Sequence, residues 1–170
     1  PLVRTKGAEV GVRTLALPGL QSTTSVWVLQ SDSELLFVGD AGTTEPSRPS
    51  LRYGVEVANY YSPLDWLTFD VDFAFSHAEF TDSDPAGDHI PGSIESVVAA
   101  GVSVQNLHGF FGALRLRYFG PRPLTEDDSV RSTPTTLLNA RVGYQFTKNW
   151  DIACDVFNLL DAKDNDIEYF

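Results

Sequence analysis

The chain has 170 residues, with 12 Lys and Arg against 23 Asp and Glu, and a formal net charge of −11. That length suffices for one domain, while the charge argues against nucleic acid as a partner, because there is no basic stripe to neutralise phosphates. No apolar run approaches the roughly 18 residues of a membrane helix, so a helical span is excluded, but a membrane barrel needs only about 9–11 alternating residues per strand.

From Lys6 to Leu17, Ala8, Val10 and Val12 alternate with Glu9, Gly11 and Arg13, predicting a strand that Pro18 and Gly19 break. A second strand rises from Gln21 to Leu29, and Glu34–Val38 reads as its extension past a polar interruption. Asp40–Ser50 holds two prolines and no period, predicting a long loop. Alternation returns over Leu51–Tyr61 and is cleanest over Trp66–Phe75, where Leu67, Phe69, Val71, Phe73 and Phe75 share one face. Asp70 and Asp72 lie on the other face. After a loop rich in Gly, Pro and Asp, from about Thr81 to Ser93, come two more strands. In them Val98–Val104 and Gly112–Tyr118 alternate, joined by a turn at Asn106–Gly109. A further long loop, Gly120–Pro134, leads into the hairpin Thr135–Asp161, whose turn is Thr147–Asn149 and whose return strand opens at Trp150.

Apolar spacing of period 3.6 is nowhere sustained, so the expectation is an all-β, antiparallel fold of about eight strands. Short connections follow Leu17, Tyr61, Gln105 and Phe146, and long ones follow Val38, Phe80 and Phe119. Such strict alternation fits a transmembrane β-barrel with short periplasmic turns and long outer loops. Aromatic residues flank the strands at both ends: Tyr60, Tyr61, Trp66, Phe146 and Trp150 near the short turns, and Phe80, Tyr118 and Phe119 near the long loops. Two such girdles suit two membrane interfaces. The competing readings are a soluble β-sandwich binding module and a small closed eight-stranded barrel with a structural or adhesion role. The chain opens at Pro1 and contains no Met, which reads as a piece of a longer protein.

Chemistry-bearing residues are sparse. His77, His89 and His108 lack metal spacing and read as exposed loop or interface histidines. Asp82–Asp88 resembles a calcium loop only superficially, because Ala86 and Ser93 stand where ligands belong; a solvated acidic loop is the simpler reading. Glu126, Asp127 and Asp128 read as a hydrated loop tip. No metal site, nucleophile elbow, phosphate loop or dinucleotide fingerprint occurs, so neither an enzyme nor a cofactor is expected. The lone Cys154 reads as a small packed residue in a strand.

Three stretches carry a family likeness: SELLFVGDAGTTEPSRPSLRYGVE (33–56), FGPRPLTEDDS (119–129), and LLNARVGYQF (137–146) with DVFNLLDAKDND (155–166). In this order they resemble the barrel of TonB-dependent outer-membrane receptors, and the likeness extends from about Lys6 to Phe170. The resemblance implies a Gram-negative outer-membrane transporter for a scarce solute such as a ferric siderophore. Its barrel would have about 22 strands around a plug. Residues 1–170 would then be the C-terminal portion of that barrel, without the plug, the segment that couples to TonB, or the final strand or strands. Phe170 is preceded by Glu168, Asp166 and Asp164 at alternating positions, so it reads as the end of a truncated loop. On the polar face, Arg115, Arg117 and Arg141 come from neighbouring strands. Pairing with lumen carboxylates such as Asp70, Asp72 and Asp155 is the simpler account. Attraction of an anionic ligand, a ferric siderophore in such a family, is the sharper one.

Overall fold

A computed structural model of the chain describes residues 3–38 and 43–163. The reading of Phe170 and the acidic positions before it falls outside the described residues. Alternation becomes ten strands: β1 (Thr5–Thr14), β2 (Leu20–Ser31), β3 (Leu35–Val38), β4 (Thr43–Pro46), β5 (Ser50–Leu64), β6 (Leu67–Phe80), β7 (Ser96–Leu107), β8 (Phe110–Phe119), β9 (Thr135–Thr147) and β10 (Trp150–Val156). Eight of them form one sheet in the order β1-β2-β5-β6-β7-β8-β9-β10, and every neighbouring pair is antiparallel. Among the described residues there is no helix.

Two expectations fail in the first long connection. Leu35–Val38 does not extend β2; it pairs with Thr43–Pro46 as a separate two-stranded sheet, inside what reads in the sequence as an unstructured loop. The cause is local. Ser31 is the last β2 residue in register with β5, opposite Ser50. Beyond it Glu34 exchanges backbone bonds with the far side of the same loop, donating to Arg48 O at 3.2 Å and accepting from Ser47 N at 2.7 Å. The chain is thereby turned away from the main sheet. β1 also ends at Thr14, three residues before the expected Leu17.

Cross-strand partners share a face, so the register fixes both surfaces of the wall. One surface carries Val10, Val26, Val71, Phe73, Phe75, Val142 and Ile152, all exposed. The opposite surface carries Asp70, which is only 5% exposed, together with Glu56, Arg115, Arg141 and Asp155. A soluble sandwich would bury the apolar surface against a second layer. Among the described residues the buried hydrophobic ones are Ala78, Phe80 and Ile90, and they lie where the long loops meet the sheet. The sandwich reading is thus overturned. β1 and β10 stand at the two ends of the strand order, so the sheet is open, and the small closed barrel is overturned with it. Cys154, expected to be packed, is exposed on β10.

Candidate functional site

The inner wall is organised by register. Asp70 of β6 faces Gly101 of β7, which faces Arg115 of β8. With no side chain on Gly101, the Arg115 guanidinium lies across β7, donates from Nη1 to the Asp70 carboxylate, and reaches Ser103 Oγ from Nη2 at 3.1 Å. One row further towards the long loops the order is Asp72, Ala99, Arg117. Ala99 keeps a methyl group in the way. Arg117 is exposed with no ion-pair partner among the described residues, and Asp72 Oδ1 is buried without a hydrogen bond. Arg141 stands 3.8 Å from Asp155 and 5.9 Å above the Phe111 ring. Two of the three predicted arginines are therefore paired with carboxylates, and Arg117 is the one of the three left over.

At the long-loop end a residue absent from the sequence expectations takes the central place. Arg48, just before β5, donates from Nε to Asp82 Oδ1 at 2.7 Å, and from Nη1 to Glu126 Oε2 at 2.7 Å and Gly87 O at 2.9 Å. Its guanidinium lies 4.4 Å over the Phe80 ring. One side chain thus fastens the β4–β5, β6–β7 and β8–β9 connections together. Backbone bonds reinforce the union: His89 N donates to Glu126 O at 3.0 Å, Gly92 N to Pro123 O at 2.8 Å, and Thr81 N to Pro49 O at 2.9 Å. Glu126 is accordingly an ion-pair partner and not a hydrated loop tip, and Asp82 of the acidic loop is equally engaged. Arg131 clamps Glu95 and Asp128 in the same rim.

The histidines are less scattered than the sequence implies. The rings of His77 and His89 are 6.4 Å apart, with His77 Nε2 at 3.3 Å from Glu79 and His89 Nδ1 at 3.1 Å from Asp88. His108 lies at the opposite end, in the β7–β8 turn. Among the described residues no three His, Cys, Asp or Glu groups come together as a metal-holding cluster.

Electrostatics hold the rim in its charged form. Burial opposes the Arg48 cation, but the hydrogen bond and charge of Asp82, joined by Glu126, outweigh it and raise its pKa above the ordinary arginine value. The hydrogen bonds that Arg131 donates to Glu95 and then to Asp128 raise its pKa likewise. Burial disfavours the Glu34 carboxylate, yet hydrogen bonds from Arg52 and Ser50 lower its pKa below 4.5. Thr125 and Ser129 hydroxyls bring Asp127 from 3.8 down to about 2. For a carboxylate lowered in the fold, stabilisation is complete above its unfolded value and is lost as pH falls through the folded one. The contacts of Glu34 with Arg52 and Ser50, and the turn held by Asp127, are therefore expected to persist down to about pH 4.5 and to weaken below it, those of Asp127 last, near pH 2. Hydrogen exchange of the Ser50 and Ser129 amides against pH checks this; loosening centred near neutrality would contradict it.

An antiparallel sheet that exposes its apolar face, charges its opposite face and gathers its long connections at one end defines the wall of an outer-membrane-type β-barrel. The chain belongs to the TonB-dependent receptor barrel family: the family described as "TonB dependent receptor-like, beta-barrel" matches residues 3–159. Its members are transport receptors of Gram-negative outer membranes.

Solved structures agree. The ferric-catecholate import receptor Fiu from E. coli K12 superposes with a TM-score of 0.74 at 18% identity, over 94% of this chain and 24% of that one. The ferric yersiniabactin uptake receptor FyuA from Yersinia pestis gives 0.77 at 18%, over 94% and 25%. The copper transporter OprC gives 0.76 at 17%, over 96% and 26%. The chain therefore spans about a quarter of the length of these proteins, and at such identities the likeness is one of fold. Among curated proteins no sequence matches.

Proposed function

We propose that this chain is the C-terminal portion of the barrel of a TonB-dependent receptor in the outer membrane of a Gram-negative bacterium. The receptor takes up a scarce anionic solute, a ferric siderophore or another iron complex. The observation that carries this reading is the inverted wall of a chain whose family is that of transport receptors. Among the described residues, the sheet edges β1 and β10 present unpaired backbone groups that a bilayer does not tolerate. Further strands of a larger barrel satisfy them. A plug and the segment that engages TonB belong to the N-terminal part, and this chain supplies wall and outer rim.

Of the three arginines on β8 and β9, Arg117 is the one suited to an anion, since Arg115 and Arg141 already face carboxylates. One charge-assisted contact is worth about 1.5–3 kcal/mol, so its loss weakens binding roughly tenfold or more. The test is radio-iron uptake by the full-length receptor with ferric catecholate, ferric citrate and ferric hydroxamate. Arg117→Gln is expected to raise the half-saturating concentration of the accepted complex roughly tenfold. The triple replacement of Arg115, Arg117 and Arg141 by Gln is expected to do at least as much. Unchanged uptake by the triple variant would remove the anion-binding role, and no uptake of any complex by the parent receptor would remove the iron assignment.

A further inference from the structure

The apolar outer surface is interrupted by a shallow groove on β8. Gly112 of β8 lies in register between Val104 of β7 and Val142 of β9. Without a side chain there, an open groove of about 290 Å³ forms, with Val102 and Val104 on one side, Val142 on the other, and Phe110 and Leu114 at its ends. The fold requires the gap, because a Cβ on Gly112 would run into the Arg141 carbonyl oxygen. The lining is almost wholly apolar and continuous with the exposed band of Leu114 and Val142. It sits at the short-turn end, where Phe110, Tyr144 and Phe146 stack edge to face with centroids 4.7 and 5.1 Å apart. Aromatic belts of this kind mark the membrane–water boundary. Lys148 stands just beyond, in the β9–β10 turn.

We propose that this groove seats one acyl chain of a phospholipid from the leaflet on the short-turn side, with Lys148 at the level of the lipid phosphate. The proposal rests on the outer-membrane reading above. From Phe110 to Leu114 the groove runs about 13 Å along β8, room for a stretch of one chain and not a whole lipid. The belt fixes its depth: the groove begins where acyl chains begin.

The test uses the full-length receptor in phosphatidylethanolamine vesicles doped with a phosphatidylglycerol carrying a diazirine in its acyl chain. After illumination, adducts are mapped by mass spectrometry. Adducts are expected to concentrate several-fold on Val102–Leu114 and Val142 relative to the outward residues of β2 and β6. Val142→Phe adds bulk at a residue already 61% exposed, so it fills the groove without disturbing packing, and it is expected to abolish the excess. Val104→Phe does the same from the opposite wall. Even labelling of all outward strands, or an excess untouched by both variants, overturns the groove while leaving the membrane reading standing. An absence of adducts on every outward residue overturns both.

Discussion

Replacing Phe80 by alanine is expected to destabilise the long-loop end by about 3–5 kcal/mol. The ring is 3% exposed and packs with Ala78 and Ile90 in the buried hydrophobic cluster of the described residues. It is also the surface on which the Arg48 guanidinium lies, so the variant loses a cation–π contact together with its packing. The backbone at this point holds a loop as well, since Phe80 N donates to Asp88 O at 2.7 Å. Hydrogen exchange of residues 81–93 and 120–134, with the thermal midpoint of the full-length receptor, reads the effect. The control lies on the same strand. Phe75 is 45% exposed on the outer surface, and Phe75→Ala should cost under about 1 kcal/mol, the scale of a lipid-facing apolar residue. Equal effects of the two substitutions would mean that the rim is not packed as described. Large loss at Phe80 alone identifies the rim as an organised body joined through Arg48.

How far the sequence revealed this arrangement depended on the range of the interaction. Period-two alternation is local, so the eight wall strands and their two faces were legible, and the exposure of Phe73 and Val71 opposite the burial of Asp70 is what the alternation in β6 implies. The length of the connections pointed in the same direction as the family likeness. What escaped was either too short or too distant. β3 and β4 have four residues each, fewer than the span over which alternation can be distinguished from chance. Arg48 finds its partners 34, 39 and 78 positions away, so nothing near it in the chain announces its role. The pairing of His77 with His89 depends on the β6–β7 loop folding back along Glu79, which forms an isolated bridge with His89. The difference between Arg115 and Arg117 was hidden for another reason. Both occupy the same face of the same strand, and only the register of β7 reveals that one faces glycine and the other alanine.

That single-atom difference leads to the second large effect. Gly101→Val is expected to act like loss of Arg115 although it removes no charge. A Cβ at position 101 would stand 2.8 Å from Arg115 Cδ and 2.9 Å from Cζ, within the path that the side chain takes to Asp70. The flexible arginine must give way, and Asp70, 5% exposed, is left as an unpaired carboxylate. An unsatisfied buried polar group costs about 1–3 kcal/mol. Arg115 is half exposed, which keeps the figure below that of a wholly buried ion pair. The measurement is a double-mutant cycle on the thermal stability of the full-length receptor. Asp70→Asn removes the stranded charge, so Gly101→Val should cost much less in its presence, and strict additivity would reject the crossing geometry. The neighbouring row supplies the converse. Ala99→Gly opens the path from Arg117 to Asp72, whose Oδ1 is buried without a partner. If the alanine methyl is what holds Arg117 away, this substitution should stabilise the wall and, by engaging the arginine of β8 that has no ion pair, weaken uptake of an anionic solute as is expected of Arg117→Gln. Stability and uptake would then move in opposite directions from one added row contact, which a purely structural role for Arg117 does not produce.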